Sequence, residues 1–295
     1  MSLKNYIIIT PCKNEEESLP AVAESIINQT IKPSLWIIVN DCSTDNTANI
    51  IDRFTYDYSW IKKLDMKQST RRDLGLHVSQ VYIEGLEFAV RYSSLNNVDF
   101  EYIGTVDADT ILVPNYFERL IQEFEVDTNL GICSGHGHYK LNGKAIWPDY
   151  RSDFPTGCAR LLCKKCYDEI GGYTLTCAPD SVSVAKAKIS GWNTKRIKDT
   201  TFFLTRATSG AEGLWKGYKQ FAFNNYYTGY TPYHALLKGT KLSFTYPYFT
   251  GISYILSYLS CYLLRKDRIA DEEVIDYYRK IGHERLKEVY YKVIR

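Results

Sequence analysis

Short apolar runs alternate with amphipathic stretches over the first hundred residues of this 295-residue chain. The apolar runs, which predict buried strands, cover residues 6–10, 35–39 and 102–106. The helical patterns cover residues 18–27, a stretch after Ser43 and residues 75–91. Strands that alternate with helices form parallel sheets that carry helices on both faces. The pattern therefore predicts an α/β fold with a mainly parallel central sheet.

Polar residues follow each predicted strand. They are Asn14 and Glu15 after the first, Asn40 and Asp41 after the second, and Asp107 and Asp109 after the third. Because ligands bind outside the carboxyl ends of the strands in such sheets, we expect these side chains to meet at one rim. Helix capping is an alternative role for Asn14 and Ser43. It does not account for the two aspartates of the third strand.

Asp107 and Asp109 lie two residues apart at the end of a strand. Their side chains therefore leave the same face and can converge on one ion. Carboxylates are hard oxygen ligands that suit Mg²⁺ or Mn²⁺, and these ions commonly hold substrate phosphates as well. A bound ion would neutralise a departing diphosphate. The pair predicts a Mn or Mg site, with a solvated turn as the alternative.

Three runs in this order, IIITPCKNEEESL, IIVNDCSTDNT and YIGTVDADT, resemble the family 2 glycosyltransferases of the GT-A fold. The match continues through CARLLCKKCYDEIGGY and PDSVSVAKAKISGWNTKRI, so it covers about residues 5–210. The resemblance implies a nucleotide-diphospho-sugar donor and inverting, metal-dependent transfer to an acceptor hydroxyl. A glycan or lipid-linked acceptor, and with it a place in polysaccharide or glycolipid assembly, is expected only from the apolar segment in the last third of the chain.

The resemblance further implies where the donor binds. The residues that match nucleotide-sugar contacts are Pro11, Glu15, Asp41, Arg71, Arg72, Asp107 and Arg206. Asp41 would contact the base, while Asn40 replaces the acid that relatives carry beside it. A solvated loop is an equally good interpretation of the two neighbouring arginines. Arg206 would take part of the diphosphate charge.

The matching positions also imply the catalytic groups. Asp109 would ligate the metal, with Asp107 near the sugar or ribose, and Asp180 would be the base that deprotonates the acceptor. A helix N-cap is the alternative role for Asp180. Many relatives have a metal-ligating histidine where this chain has Leu204, so the ion would have one protein ligand fewer. His136 and His138 are further polar residues near the cleft, for which an exposed loop is the favoured interpretation.

Composition narrows the partners and the compartment. The formal net charge is +2, which gives no broad basic surface for nucleic acid. The N-terminal sequence lacks the features of a secretory signal, so we expect a cytoplasmic protein, with the inner face of the membrane as a peripheral site. The eight cysteines are expected to be reduced. A CxxC at Cys163 and Cys166, with Cys158 and Cys177 nearby, could hold zinc, although a strand that enters a helix is favoured.

The last third of the chain lacks the alternation of strands and helices and predicts helices only. We predict a catalytic domain over residues 1–235 and a helical extension over residues 236–295. A helix over residues 251–264 would be about 21 Å long, too short to cross a hydrocarbon core of about 30 Å. Its aliphatic stripe, tyrosine border and following basic residues suit a membrane interface, and packing against the protein is equally compatible. Residues 271–295 predict a charged amphipathic helix.

Two other functions are compatible with parts of the pattern. A sugar-nucleotide-forming nucleotidyltransferase shares a similar sheet and acidic metal site, but such enzymes carry a Gly-rich loop after the first strand. The run PCKNEEE has no glycine. A binding protein that kept the fold and lost turnover is the second alternative, and Asn40 and Leu204 are the residues that favour it.

Overall fold

The computed structural model describes residues 5–67, 75–141, 143–148, 151–206 and 213–294. The strands are β1 Tyr6–Cys12, β2 Leu35–Asn40, β3 Ile61–Asp65, β4 Tyr102–Val106, β5 Thr110–Leu112, β6 Leu130–Leu141, β7 Lys144–Ile146, β8 Ala159–Cys163 and β9 Asn193–Leu204. The helices are α1 Leu19–Ile27, α2 Thr47–Asp57, α3 Leu76–Asn96, α4 Tyr116–Val126, α5 Lys164–Glu169, α6 Pro179–Ile189, α7 Leu214–Tyr227, α8 Pro232–Ser243, α9 Phe249–Leu263 and α10 Glu272–Ile294.

One sheet runs through the molecule in the order β3-β2-β1-β4-β8-β6-β9-β5, with β7 paired to β6. Strands β3, β2, β1 and β4 are mutually parallel, as the alternating pattern predicts. Beyond β4 the sheet is mixed, because β8 runs antiparallel to both β4 and β6 while β6 and β9 are parallel. No helix lies between β6 and β8 in the part of the chain that the structure describes, and antiparallel neighbours need no helical crossover.

The core lies on both faces of this sheet. On one face α1, α2 and α4 cover alternate residues of β1, including Tyr6 and Ile8. On the other face α3 packs against Ile7 and Ile9. Gly85 of α3 allows this helix to approach closely, since a methyl group there would lie 2.7 Å from a methyl carbon of Val39. The sheet is therefore buried on both sides, and its carboxyl-end rim is where the polar loops lie.

The C-terminal helices form a further apolar cluster with α6. Its buried residues include Val182 of α6, Ala222 of α7, Tyr254 of α9 and Tyr278 of α10. The predicted domain boundary at residues 235 and 236 falls inside α8, and the division stays a prediction. Among the described residues, no helix has both the length and the apolar character that crossing a membrane requires.

Candidate active site

The loops that follow β1 and β2 are joined to each other by hydrogen bonds. The Asn14 backbone N–H donates to Ser43 Oγ (3.1 Å), and Asn14 Oδ1 accepts from the Thr44 N–H (2.8 Å). The Glu16 N–H donates to Asp45 Oδ2 (3.1 Å). Asn14 and Ser43 therefore do not cap helices, and that alternative is wrong. Their side chains hold the two loops together at the rim of the sheet.

Arg206 lies between two carboxylates at this rim, just beyond the end of β9. Its Nε donates to Asp109 Oδ2 (2.7 Å), and its terminal nitrogen donates to Glu15 Oε1. Glu15 is buried and also accepts from Ser18 Oγ (3.0 Å). Burial lowers the pKa of Arg206 and the two carboxylates raise it, with a net shift upwards. A permanent cation thus sits beside the predicted metal ligand Asp109.

Asp107 follows β4 and is held at both its backbone and its side chain. Its N–H donates to the Cys158 carbonyl (2.8 Å), and its Oδ1 accepts from the Tyr82 hydroxyl (2.6 Å). Burial and the neighbouring Asp109 carboxylate raise the pKa of Asp107 to about 7, although the Tyr82 hydrogen bond acts in the opposite direction. Asp107 therefore has a fixed position and can hold a proton near neutral pH.

Asp180 lies in the first turn of α6, but its side chain does not cap that helix. Its Oδ1 accepts from the Tyr173 hydroxyl (2.7 Å) and pairs with the Arg160 guanidinium (2.9 Å). Its carboxylate lies against Gly157, and its side chain remains 44% exposed. The N-cap alternative for Asp180 is therefore wrong. The carboxylate is oriented by two partners on one oxygen and is open to solvent.

Two tyrosines connect Asp107 with Asp180. The rings of Tyr82 and Tyr173 pack with their centroids 5.4 Å apart, and each hydroxyl bonds one of the two carboxylates. Burial raises the pKa of both tyrosines well above the ordinary value, so both hydroxyls are donors. The two aspartates therefore belong to one cleft, one on the sheet rim and one at the start of α6.

Arg160, Tyr82 and Tyr173 are not among the site residues predicted from the sequence. Arg160 is fully buried, and its guanidinium also donates to Ser183 Oγ (3.1 Å) and bonds the Tyr173 hydroxyl. A charged residue inside the apolar run ARLLC was the available signal, because an arginine buried in a strand needs a partner. The tyrosines left no comparable signal in a chain with 25 of them.

Asp41 lies at the end of β2 with one of its oxygens already paired. Its Oδ2 contacts Lys13 Nζ (3.1 Å) and His77 Nε2 (2.8 Å). Its Oδ1 is buried and has no hydrogen-bond partner within the described part of the chain. Asn40 donates instead to Asp65 Oδ1 (2.7 Å), so the residue that replaces the family acid is used within the protein. Pro11 is partly exposed in β1, beside Val39 of β2.

A divalent cation would find few protein ligands here. Leu204 is buried in the core, so the position that many relatives fill with histidine supplies no donor. Within the described residues, no group of three or more His, Cys, Asp or Glu side chains is placed to hold a metal. Asp107 and Asp109 remain as the carboxylates that could hold a Mg²⁺ or Mn²⁺ ion, whose other ligands would then come from donor phosphates.

His136 and His138 lie in β6 and not in an exposed loop, so that prediction is wrong. Ser134 of β6 pairs with Arg160 of β8, and alternate residues share a face, so His136 and His138 lie on the Arg160 face of the sheet. Trp147 stacks with both imidazoles, at centroid distances of 5.6 Å and 4.2 Å. A partly exposed group of rings thus lies on the face of the sheet that carries Arg160, the residue that pairs with Asp180.

The CxxC segment has the predicted form of a strand that enters a helix. Cys163 ends β8, and its Sγ accepts from the Cys166 N–H at 3.3 Å, which caps α5. The described cysteines form no disulfides. Arg71 and Arg72 lie outside the described residues, so their proposed nucleotide contacts stay predictions.

Known bacterial proteins are similar in sequence to part of this chain. The poly-beta-1,6-N-acetyl-D-glucosamine synthase of Staphylococcus epidermidis is 29% identical over 125 residues, which are 42% of this chain and 26% of the relative. GlyA, a glycosyltransferase of Streptococcus pneumoniae, is 30% identical over 127 residues, which are 42% of this chain and 16% of the relative. The chain thus spans about a quarter or less of the length of these two relatives.

Solved structures show the same fold at low sequence identity. The Pyrobaculum calidifontis mannosyltransferase PcManGT, in complex with GDP-Man and Mn²⁺, has a TM-score of 0.58 and 14% identity, with 90% of this chain and 89% of that chain covered. TarS 1–349 of S. aureus, in complex with UDP-GlcNAc, has a TM-score of 0.53 and 13% identity, with 96% and 92% covered. The predicted GT-A fold is confirmed. The glycosyl transferase family 2 model matches residues 7–181, and the chain belongs to that family.

Proposed function

We propose that this chain transfers a sugar from a nucleotide-diphosphate donor to an acceptor hydroxyl, with inversion at the sugar carbon. The observation that carries the proposal is the Asp180 carboxylate, which Arg160 and Tyr173 hold in place while its side chain stays 44% exposed. A base needs a fixed position and access to the hydroxyl that it deprotonates. Asp180 has both properties, and the two tyrosines tie it to the acidic rim.

The donor is proposed to lie along the rim formed by β1, β2 and β4. Asp41 offers a buried oxygen without a partner among the described residues, which suits a hydrogen-bond donor on a nucleobase. Pro11 and Glu15 border the same rim. Structural neighbours are described with UDP-GlcNAc and with GDP-Man, and this supports a nucleoside diphosphate sugar as the donor class.

In the proposed reaction, Asp180 accepts the proton of the acceptor hydroxyl. The acceptor oxygen forms the new bond to the anomeric carbon, and the bond to the β-phosphate oxygen breaks on the opposite face. The nucleoside diphosphate leaves with the electron pair, and Arg206 stabilises the negative charge that develops there. Asp107 and Asp109 would hold a Mn or Mg ion, which neutralises diphosphate charge when bound.

We propose a glycan or lipid-linked acceptor that approaches over the Arg160 face of the sheet. His136, His138 and Trp147 lie on that face, and aromatic rings offer flat apolar surface to a sugar. Relatives named for poly-beta-1,6-N-acetyl-D-glucosamine synthesis support a role in polysaccharide assembly. A cytoplasmic enzyme that works at the inner face of a membrane fits a lipid-linked acceptor.

The test combines donor affinity and transfer rate on the same samples. With the donor identified by thermal shift against a panel of nucleotide sugars, Asp180→Asn should bind it with unchanged affinity and turn over at least ~10²-fold more slowly, as expected when a positioned base is lost. Asp168→Asn on the exposed part of α5 is the matched control and should behave as wild type. A wild-type protein that binds donors but neither transfers nor hydrolyses them would instead be a non-catalytic binding protein.

A further inference from the structure

Helix α9 has a stripe of apolar side chains on its solvent-exposed side. Its buried side is formed by small residues and tyrosines, among them Ser253, Tyr254 and Tyr258. The outward stripe, at spacings of three and four residues, consists of Phe249, Ile252, Leu256, Leu259 and Leu263. Ile252 is 53% exposed, Leu256 57% and Leu263 77%, while Leu259 is partly exposed. The predicted helix thus packs on the protein and also keeps its aliphatic face outside.

Helices α8 and α9 form a tight antiparallel hairpin. A methyl group on Gly239 would overlap Ile255, and one on Gly251 would overlap Ser243, so both glycines are needed for this close approach. The connection between the helices carries exposed aromatic rings, of which Phe244 is 82% exposed. We call the outward stripe of α9, together with residues 244–248 of the connection, the α8–α9 surface. This surface is extended and apolar, and the hairpin beneath it is closely packed.

The charges around this surface are mostly positive. The chain has no aspartate or glutamate between residues 213 and 266, whereas it has six lysines and arginines there, and one exposed acid, Asp267, follows. Lys241 is exposed on α8, and Arg265 and Lys266 are exposed directly after α9. Arg265 and Arg268 line a hollow together with Leu263, so cations lie beside the exposed aliphatic side chains.

We propose that the α8–α9 surface docks on an anionic membrane, with α9 lying in the plane of the interface. Exposed aliphatic and aromatic side chains enter the boundary between headgroups and acyl chains, and the surrounding cations attract anionic lipid. A second copy of this chain is a poorer partner, because a symmetric contact would bring the same cations together. The proposal does not depend on the glycosyl transfer reaction.

The experiment is sedimentation of the full chain with vesicles of phosphatidylcholine, with and without phosphatidylglycerol. We expect binding to the anionic vesicles at low salt, weaker binding at high salt and little binding to phosphatidylcholine alone. The double variant Ile252→Glu with Leu256→Glu should lower the apparent partition coefficient at least ~100-fold. This expectation assigns about a tenfold loss, or roughly 1.4 kcal/mol, to each of the two aliphatic side chains. Arg265→Ser with Lys266→Ser should reduce the salt dependence.

The control is Leu95→Glu, which changes a leucine on α3 outside this surface that is more exposed, at 72%, than Ile252 or Leu256. It should bind vesicles as wild type does. Circular dichroism and thermal unfolding establish that each variant is folded, and Leu263→Glu in the last turn of α9 replaces the double variant if that one unfolds. Donor affinity measured in the absence of vesicles separates a loss of docking from a loss of the catalytic site.

Three results would overturn the proposal. One is a wild-type chain that stays in the supernatant with anionic vesicles at low salt. Another is binding that the glutamate variants leave unchanged. The third is a concentration-dependent dimer that the Ile252→Glu, Leu256→Glu variant abolishes without any effect on vesicle binding, which would identify a second copy of the chain as the partner.

Discussion

Replacement of Gly157 by alanine tests the position of Asp180 without changing any ionisable group. A Cβ atom built on Gly157 would fall 1.7 Å from Asp180 Oδ2 and 2.9 Å from Oδ1. Carbon and oxygen do not approach within about 3 Å without a bond, so the carboxylate must retreat by more than ~1 Å. It then leaves its hydrogen bonds with Tyr173 and Arg160, which are 2.7 Å and 2.9 Å long.

We expect Gly157→Ala to lower kcat by roughly 10²-fold, because a misplacement of about 1 Å at a reacting group can cost that much. The fold should survive, since the Asp180 side chain is 44% exposed and can turn towards solvent. Donor affinity should stay within about twofold of wild type, because the donor is proposed to bind at the sheet rim. The assay measures single-turnover transfer and donor affinity by calorimetry.

A double-mutant cycle decides whether the effect of Gly157→Ala passes through Asp180. If it does, adding Gly157→Ala to Asp180→Asn should change the rate little, because the base is already lost. Fully multiplicative effects would show that Gly157 acts by another route. Wild-type turnover in Gly157→Ala, or a loss of donor affinity as large as the loss of rate, would refute the proposed position of the base.

Three further predictions concern the rest of the cleft. Asp109→Asn should abolish the Mn²⁺-dependent part of nucleotide diphosphate binding, because the amide keeps the size but loses the charge; calorimetry with and without Mn²⁺ checks it. Folding raises the pKa of Asp107 to about 7, whereas the unfolded chain loses this proton near pH 4. Between these pH values the folded protein holds a proton that the unfolded chain does not, so the contribution of Asp107 to the unfolding free energy falls as the pH rises. Asp107→Asn removes that pH dependence. The melting temperature of the variant minus that of wild type should therefore increase between about pH 5 and about pH 8, and a difference that stays constant over this range would contradict the raised pKa of Asp107. Trp147→Ala should raise the KM for the acceptor about tenfold and leave the KM for the donor unchanged, and an equal effect on both would exclude a specific acceptor contact.

The first half of the fold could be predicted from sequence because its signals are local. Strands β1, β2 and β4 are continuous apolar runs, and helices separate them, so the parallel order follows from chain connectivity. The mixed half could not be derived in this way. The position of β8 between β4 and β6 depends on pairing across long sequence separations, for example Val106 with Ala159, and no local pattern encodes such a pair.

The candidate site also has a part that could be predicted from local sequence and a part that could not. Asp107 stands directly after a predicted strand, and Asp109 and Glu15 follow within a few residues of one, so their convergence follows from the sheet. The partners that orient them do not, because a buried side chain such as Arg160 is brought to its carboxylate by tertiary packing. The loop residues Asn14 and Ser43 show why local rules fail here. Both are good capping residues, but the neighbouring loop offers their side chains other hydrogen bonds.

The two arginines of the cleft hold their carboxylates in different ways, and this difference separates the two sides of the proposed reaction. Arg160 is fully buried beneath Asp180 and pairs with its carboxylate. It therefore cannot contact a substrate, and its role is to hold the proposed base in position. Arg206 is 31% exposed and binds Asp109 and Glu15 at the surface of the rim. A diphosphate that reaches this rim competes with both carboxylates for the same guanidinium, and a cation on Asp109 would shift the balance towards the phosphate. The donor side can therefore rearrange on binding, whereas the base side is already in place.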